Sequence, residues 1–261
     1  MIDVPSGARV WIGTSGWHYK HWIGDFYPLK FPPQKMLGRY VQEFPTVEIN
    51  NSFYRLPDAR TFAAWKKQVP RGFLFAVKAS RFITHIKRLK DADDAVQLLL
   101  ERAAPLGDAL GPILFQLPPN WKLNIERLRE FLGVLPAGRQ FAMEFRDPSW
   151  SVSPVYDLLR RYNVAFCIHD WREMAWPREV TAEFIYIRFH GSGQRYGGSY
   201  PDSVLDGWAN QIREWSAEGR RIFAYFNNDI GGHAIRNART LREMLEQRQA
   251  GEYRGVVGLT A

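Results

Sequence analysis

The sequence predicts an α/β fold, a single (β/α)8 parallel barrel of the TIM type with a shortened unit after the sixth strand. Short apolar segments that suit strands alternate with helical patterns eight times along the chain. The length of 261 residues is close to the roughly 250 that such a barrel uses. Polar residues recur on one face near the carboxyl ends of the strand segments. A doubly wound open sheet, the alternative, does not explain that consistent face.

The fifth strand segment, within residues 139–150, shows the pattern most clearly. One face carries the bulky apolar residues Phe141, Met143 and Phe145, and the other carries Ala142, Glu144 and Arg146. One face of this strand ends in an acid and a base, and the other carries large apolar groups. Such an alternation requires both faces to be buried. A barrel strand has this arrangement, because bulky residues lie under a helix and small, then functional, residues point inward.

The other seven strands are predicted at 10–14, 46–52, 73–80, 111–117, 164–170, 184–190 and 221–227. Helices are predicted at 33–44, 58–69, 92–104, 125–135, 154–162 and 202–218, with a last helix ending near 247. Pro32 and Pro33 suit the start of the first helix, and Asp58 suits a cap. The segment after the sixth strand is too short and interrupted for a full helix. No linker divides the chain, so we expect one domain over 1–261, with 250–261 as a tail.

Composition favours a globular protein and narrows its partners. Hydrophobic residues make up 46% of the chain, and ten Trp contribute to a high aromatic content of 15%. The net charge of +8 suits an anionic small molecule or nucleic acid, although solvated Lys and Arg on helix faces explain it better, because no dense basic run appears. The single Cys, Cys167, excludes an internal disulfide and suits the reducing cytoplasm. Without a signal peptide or a long apolar run, we expect a cytoplasmic protein with no membrane partner. The oligomeric state stays open.

The carboxyl ends of the strands should form the functional site, as in other barrels of this type. The residues expected to be catalytic are Glu144, Glu48, His190 and Lys78. Those expected to bind the substrate are Asn50, Gln116, Arg146, His169, Arg188, Tyr225, Asn227 and Trp17.

Several chemistries suit this set of residues. The two glutamates could form an acid/base pair of the glycosidase kind. Alternatively, Glu144 with Arg188 and Glu48 with Lys78 could neutralise one another as a structural network. A divalent metal on Glu48, Glu144, His169, Asp170 and His190 is not favoured, because Lys78, Arg146 and Arg188 crowd the same rim. We therefore assign no metal ligands and leave the cofactor unknown.

An anionic ligand suits the cations at the rim better. Phosphate often binds to the loops after strands seven and eight of such barrels. Here these loops are the Gly-rich stretches HGSGQRYGG and NNDIGGHA, and the second runs into a helix amino terminus. The aromatic loop WHYKHWIGDFYP, which contains Trp17, could stack on a sugar or a base, or plug the core.

Seven stretches, in chain order, carry a resemblance to a known family: GTSGWHYKHWIGDFYP, VEINNSFYRLP, FAVKASRFITH, LFQLPP, MEFRDPSW, YIRFHG and YFNND. They resemble the YecE-like family, the domain of unknown function seventy-two, over nearly the whole chain. The resemblance implies a TIM-type barrel of unestablished activity. It places the family's characteristic polar positions at Glu48, Asn50, Lys78, Gln116, Glu144, Arg146, Arg188, His190 and Asn227. Asn51 stands where such sequences often carry a small hydroxyl residue.

Three functions follow as hypotheses. The first is an enzyme, a hydrolase, lyase or isomerase, acting on a sugar phosphate, a nucleotide or another polar anion at the barrel mouth. The second is a nucleic-acid-binding or nuclease-like protein whose basic surface tracks phosphates. The third is a non-catalytic scaffold with a structural charged core.

Overall fold

Eight parallel strands close into a barrel because each pairs with its neighbours in the chain and the last pairs with the first. The computed structural model describes residues 2–3, 9–171, 176–192 and 196–256. The barrel strands are β2 (Arg9–Ser15), β3 (Thr46–Ile49), β4 (Leu74–Lys78), β5 (Leu110–Gln116), β6 (Phe141–Glu144), β7 (Ala165–His169), β8 (Phe184–Phe189) and β9 (Arg221–Phe226). Pairing of β2 with β9 closes the sheet, and the predicted (β/α)8 barrel is confirmed. A short strand, β1 (Ile2–Asp3), pairs antiparallel with the start of β2.

Helices connect the strands around the outside of the barrel. They are α1 (Met36–Tyr40), α2 (Asn51–Tyr54), α3 (Ala59–Lys66), α4 (Asp93–Ala103), α5 (Ile125–Val134), α6 (Ser153–Arg161), α7 (Asp202–Ala217) and α8 (His233–Val256). Asp58 caps α3 as predicted, since its side chain accepts the backbone N–H of Thr61. The first predicted helix opens instead with a 3-10 turn, Pro33–Lys35.

Two segments can be compared with the predicted elements: the one between β7 and β8, and the end of α8. Between β7 and β8, the described residues contain no α-helix, in agreement with a shortened unit. Helix α8 runs past the predicted end, so residues 250–256 of the expected tail are helical, while 257–261 lie outside the described residues. Among the described helices, none combines the length and the apolar composition needed to cross a bilayer.

The predicted strand over 46–52 is too long. Strand β3 ends at Ile49, and Asn50 takes a helical backbone conformation before α2. Ser52 Oγ lies 3.0 Å from the carbonyl oxygen of Ile49 and 2.6 Å from that of Lys78. Such bonds between a serine side chain and the nearby backbone compete with strand pairing. Asn50 and Ser52 therefore follow the strand rather than extend it.

The alternation of side chains divides the core into two layers. Outward residues pack under the helices, and inward residues fill the barrel: Trp11, Ala76, Leu114, Ala142, Ala165, Cys167, Phe184, Tyr186, Phe223 and Tyr225. Trp11 and Phe223 stack with centroids 4.8 Å apart, in the same cluster as the inward alanines. A Cβ on Gly13 would lie 2.1 Å from the carbonyl oxygen of Thr46, so only glycine permits this approach of β2 to β3. The lower barrel is thus filled with side chains.

Candidate functional site

Strand register lifts the inward polar residues to one level above this filled interior. Gln116 on β5 lies opposite Glu144 on β6, and His169 on β7 lies opposite Arg188 on β8. Ser15, the last residue of β2, lies opposite Glu48 on β3. Residues distant in sequence therefore meet at the carboxyl end of the barrel, as the inward polarity predicted.

Arg188 is the centre of a closed ionic network. Its two terminal nitrogens bind Glu144 Oε2 at 2.6 Å and Glu48 Oε1 at 2.7 Å, and all three side chains are fully buried. Glu48 also accepts hydrogen bonds from Ser15 Oγ at 2.6 Å and from Tyr186 Oη at 2.7 Å. Of the two pairs in the structural alternative, Glu144 with Arg188 is present, whereas Glu48 pairs with Arg188 instead of Lys78.

Arg146 completes what we call the Arg188 network, which consists of Glu48, Glu144, Arg146 and Arg188. Its Nε binds Glu144 Oε1, and its guanidinium lies 3.8 Å from the ring centroid of Trp171. Burial alone would raise the pKa of Glu144, but Arg146 and Arg188 hold that pKa well below its usual range. Glu144 is therefore a permanent carboxylate at neutral pH.

This arrangement does not suit a glycosidase-type pair. One guanidinium bridges Glu48 and Glu144, so no sugar or water can stand between the two carboxylates. A general acid needs a raised pKa, and the pKa of Glu144 is lowered. Both glutamates thus hold Arg188, and the lowered pKa of Glu144 opposes a role for that residue as a general acid.

The two buried histidines are neutral and hydrogen-bonded. His169 Nε2 lies 2.8 Å from the carbonyl oxygen of Phe145, and its Nδ1 accepts the N–H of Trp171 at 3.2 Å. Burial lowers the pKa of His169 to about 4. His190 Nδ1 lies 3.1 Å from Asn227 Nδ2. Burial, with Arg146 second, lowers the pKa of His190 well below its usual range.

Glu144, His169 and His190 place one ligand atom each within 4.8 Å of one another, which invites a test for a metal. Both ring nitrogens of His169 are engaged by the backbone, so no lone pair faces the cluster. The oxygens of Glu144 bind Arg146 and Arg188. Two guanidiniums at the same carboxylate would repel a divalent cation. The donor set does not fit a metal ion.

Lys78, at the end of β4, differs from the other cations. Its side chain is only 9% exposed, and Nζ lies 4.3 Å over the ring of Phe53. Within the described ranges, no carboxylate forms an ion pair with this Nζ. Burial, followed by repulsion from Arg188, lowers the pKa of Lys78 to about 7. The barrel end therefore holds an amine that is partly charged at neutral pH.

The remaining predicted residues occupy three different places. Gln116 lies with the network, where its Nε2 donates to the carbonyl of Leu117 at 2.9 Å. Asn50 and Trp17 line a separate cavity beside the barrel end. Tyr225 lies in the filled interior, where its hydroxyl is 2.8 Å from Thr46 Oγ1, so the structure does not bring it to the mouth.

Sequence reasoning missed several partners in this site. Ser15 and Tyr186 bind Glu48, Trp171 stacks on Arg146, and Phe53 underlies Lys78. The inward parity of β2 and β8 could have identified the first two. The contacts of Trp171 and Phe53 depend on loop paths, which carry no sequence period.

The Gly-rich loop after β9 differs from a simple phosphate site. In the loop after β9, Asp229 accepts Trp22 Nε1 at 2.7 Å and pairs with His21 at 2.8 Å. A carboxylate at this position opposes an anion there. In the loop after β8, residues 193–195 lie outside the described residues.

Comparisons with known proteins agree with the barrel fold. The family model described as "Protein of unknown function DUF72" matches residues 11–255. The UPF0759 protein YunF of Bacillus subtilis is 28% identical, and the alignment covers 93% of this chain and 96% of YunF. The UPF0759 protein YecE of Escherichia coli K12 is 28% identical over 54% of this chain and 50% of YecE. The crystal structure of a DUF72 family protein from Thermotoga maritima superposes with a TM-score of 0.83 at 28% identity, covering 91% of this chain and 99% of that one.

Proposed function

Since the chain belongs to the DUF72 family of proteins of unknown function, we propose a function from its own site: an enzyme that acts on a small anionic molecule at the barrel mouth. A sugar phosphate or a nucleotide has the required charge. Lys78 is the residue that contacts the anion. Hydrolase, lyase and isomerase chemistry all remain compatible with this role.

The charge balance of the barrel end is the observation that supports this proposal. In the Arg188 network, two carboxylates offset two guanidiniums, and no carboxylate in the described part of the chain is left to pair with Lys78. A buried charge without a partner costs several kcal/mol, and this cost lowers the pKa of Lys78. An anion bound at Nζ would remove that cost and return the amine to its ammonium form.

Lys78 also suits proton transfer. A group whose pKa is near the operating pH gives and takes protons most effectively, and that of Lys78 is about 7. In this scheme Glu48, Glu144 and Arg188 are positioning residues, because the Arg188 guanidinium bridges the two carboxylates. Arg146, His190, Gln116, Asn50 and Asn227 remain candidates for contacts with the substrate.

Calorimetric titration with inorganic pyrophosphate tests the anion site. Lys78→Met should weaken binding at least tenfold, whereas Lys67→Met, a change at an exposed lysine, should leave it unchanged. Wild-type affinity should fall between pH 6 and pH 8, because Lys78 loses its charge over that range. Equal affinity in wild type and Lys78→Met would refute the proposal.

A non-catalytic role also has an observation in its favour, namely the complete burial and mutual pairing of Glu48, Glu144 and Arg188. Such a network can exist for structure alone. The two proposals differ at Lys78, since a purely structural core predicts no anion affinity that depends on this residue. The pyrophosphate titration therefore separates them.

A further inference from the structure

A second cavity lies beside the barrel end, between the loop after β2 and helices α2 and α3. Its volume is about 580 Å³. Aromatic rings and amides line it, among them Trp17, Tyr54, Trp65, Asn50, Asn51 and Gln68. None of its described lining residues is Asp, Glu, Lys or Arg. This neutral lining contrasts with the charged network of the barrel centre.

The backbone at Gly16 shapes the entrance. Gly16 has φ +99°, and a Cβ there would lie 2.7 Å from Tyr19 Oη. Only glycine permits this turn at no steric cost. The turn carries the chain out of β2 into the stretch that contains Trp17 and Tyr19, which both line the cavity.

Asn50 indicates that a ligand in this cavity should carry a hydrogen-bond donor. Its Nδ2 donates to the carbonyl of Ser15 at 3.4 Å, which sets the amide orientation because a carbonyl only accepts. Its Oδ1 is buried and has no hydrogen-bond partner among the described residues. An unsatisfied acceptor of this kind is unfavourable. Asn50 lines the cavity, so a ligand hydroxyl bound there is the donor that this oxygen lacks.

We propose that this cavity, the neutral-ring site, binds a sugar ring. The apolar C–H face of a sugar packs on aromatic side chains, and its hydroxyls bond to amides such as those of Asn50, Asn51 and Gln68. A phosphate would find no Lys or Arg among the described lining residues. The proposal deepens the proposed function and rests on it in one respect: a sugar phosphate would place its ring here and its phosphate at Lys78.

The ring geometry favours a sugar over a nucleobase. Trp17 and Trp65 meet edge to face, with centroids 5.2 Å apart and planes at 90°. They do not form the parallel plates between which a flat base would be sandwiched. Tyr54, which is 74% exposed, presents much of its side chain to a ligand entering from solvent. A sugar, which is not flat and carries hydroxyls around its rim, fits such walls better.

Saturation-transfer NMR with D-glucose, D-ribose and adenosine tests the neutral-ring site. We expect transfer to at least one sugar in the wild type and in Lys78→Met, because the lining is separate from that lysine. Asn50→Ala and Tyr54→Ala should each weaken binding at least fivefold. Tyr162→Ala, which changes a 37% exposed tyrosine that does not line the cavity, should not weaken it. Because Tyr54 is so exposed, its variant should fold normally.

The outcomes separate this inference from the proposed function. Sugar binding that persists in Lys78→Met, without pyrophosphate binding by the wild type, would support the neutral-ring site and refute the anion site. Pyrophosphate binding without transfer to either sugar would do the reverse. Transfer to the base protons of adenosine alone, or sugar binding that neither variant weakens, would also overturn the neutral-ring site.

Discussion

Replacing Arg188 by Met tests the ionic centre of the barrel. The substitution keeps an extended side chain and removes the one cation that Glu48 and Glu144 share. Glu48 then keeps only its hydroxyl donors, Ser15 and Tyr186. Breaking a buried pair by removing one partner costs about 3–5 kcal/mol. In a chain of this size that corresponds to a fall in Tm of roughly 6–20 °C.

The loss should depend on pH in a definite direction. In the wild type, the pKa of Glu144 lies below its unfolded value, so its contribution to stability is present above pH about 4.3 and is lost as pH falls further. Without Arg188, the pKa of Glu144 rises toward or above the unfolded value, and the folded variant takes up protons that the folded wild type does not. The deficit of Arg188→Met should therefore be largest at neutral pH and shrink as pH falls.

Urea unfolding followed by circular dichroism, at about pH 7.5 and pH 4.5, measures both effects. Arg129→Met is a matched control, because Arg129 pairs with Glu126 at an exposed helix surface; it should change the midpoint little. A variant that combines Arg188→Met with Glu48→Gln should regain part of the lost stability, since Glu144 keeps its pair with Arg146 and no carboxylate of the network is left without a cation. If Arg188→Met costs no more than Arg129→Met, or its deficit grows at low pH, the reasoning about the network is wrong.

Three further changes are expected to follow from single contacts. Tyr186→Phe removes the hydroxyl that donates to the buried carboxylate of Glu48. Urea unfolding should show a free energy of unfolding lower by about 1–3 kcal/mol. Gly16→Ala, at φ +99° against the ring of Tyr19, should cost about 1–3 kcal/mol, whereas Gly38→Ala, with no atom within 4 Å of the new Cβ, should not destabilise. Burial lowers the pKa of His169 to about 4, so the unfolded chain binds a proton at this residue that the folded chain excludes. The free energy of unfolding of the wild type should therefore fall by up to about 3 kcal/mol as pH falls from about 6.5 to about 4. Urea midpoints over that range should decline less in His169→Gln.

Local patterns in the sequence were sufficient for the barrel and for the face on which each residue lies. The alternation in β6 placed Glu144 on the inner face, and the same two-residue period placed Arg188 and Tyr225 on the inner faces of β8 and β9. Asp58 signalled the start of α3 by the chemistry of a helix cap. These features depend on neighbours a few residues away, so the order of residues alone determines them.

Only the tertiary structure decided which inward residues meet. The bond between Arg188 and Glu48 joins residues 140 positions apart, and the stagger of the strands sets the height of each side chain. Tyr225 lies opposite Arg188 in the register, yet its hydroxyl bonds to Thr46 at the start of β3. Glu48 pairs with Arg188, so that no carboxylate of the described residues forms an ion pair with Lys78. A two-residue period defines a face but carries no information on height around a closed barrel. For that reason the sequence determined which polar residues face the inside of the barrel. The fold determined which of them form ion pairs and that Lys78 lies outside those pairs.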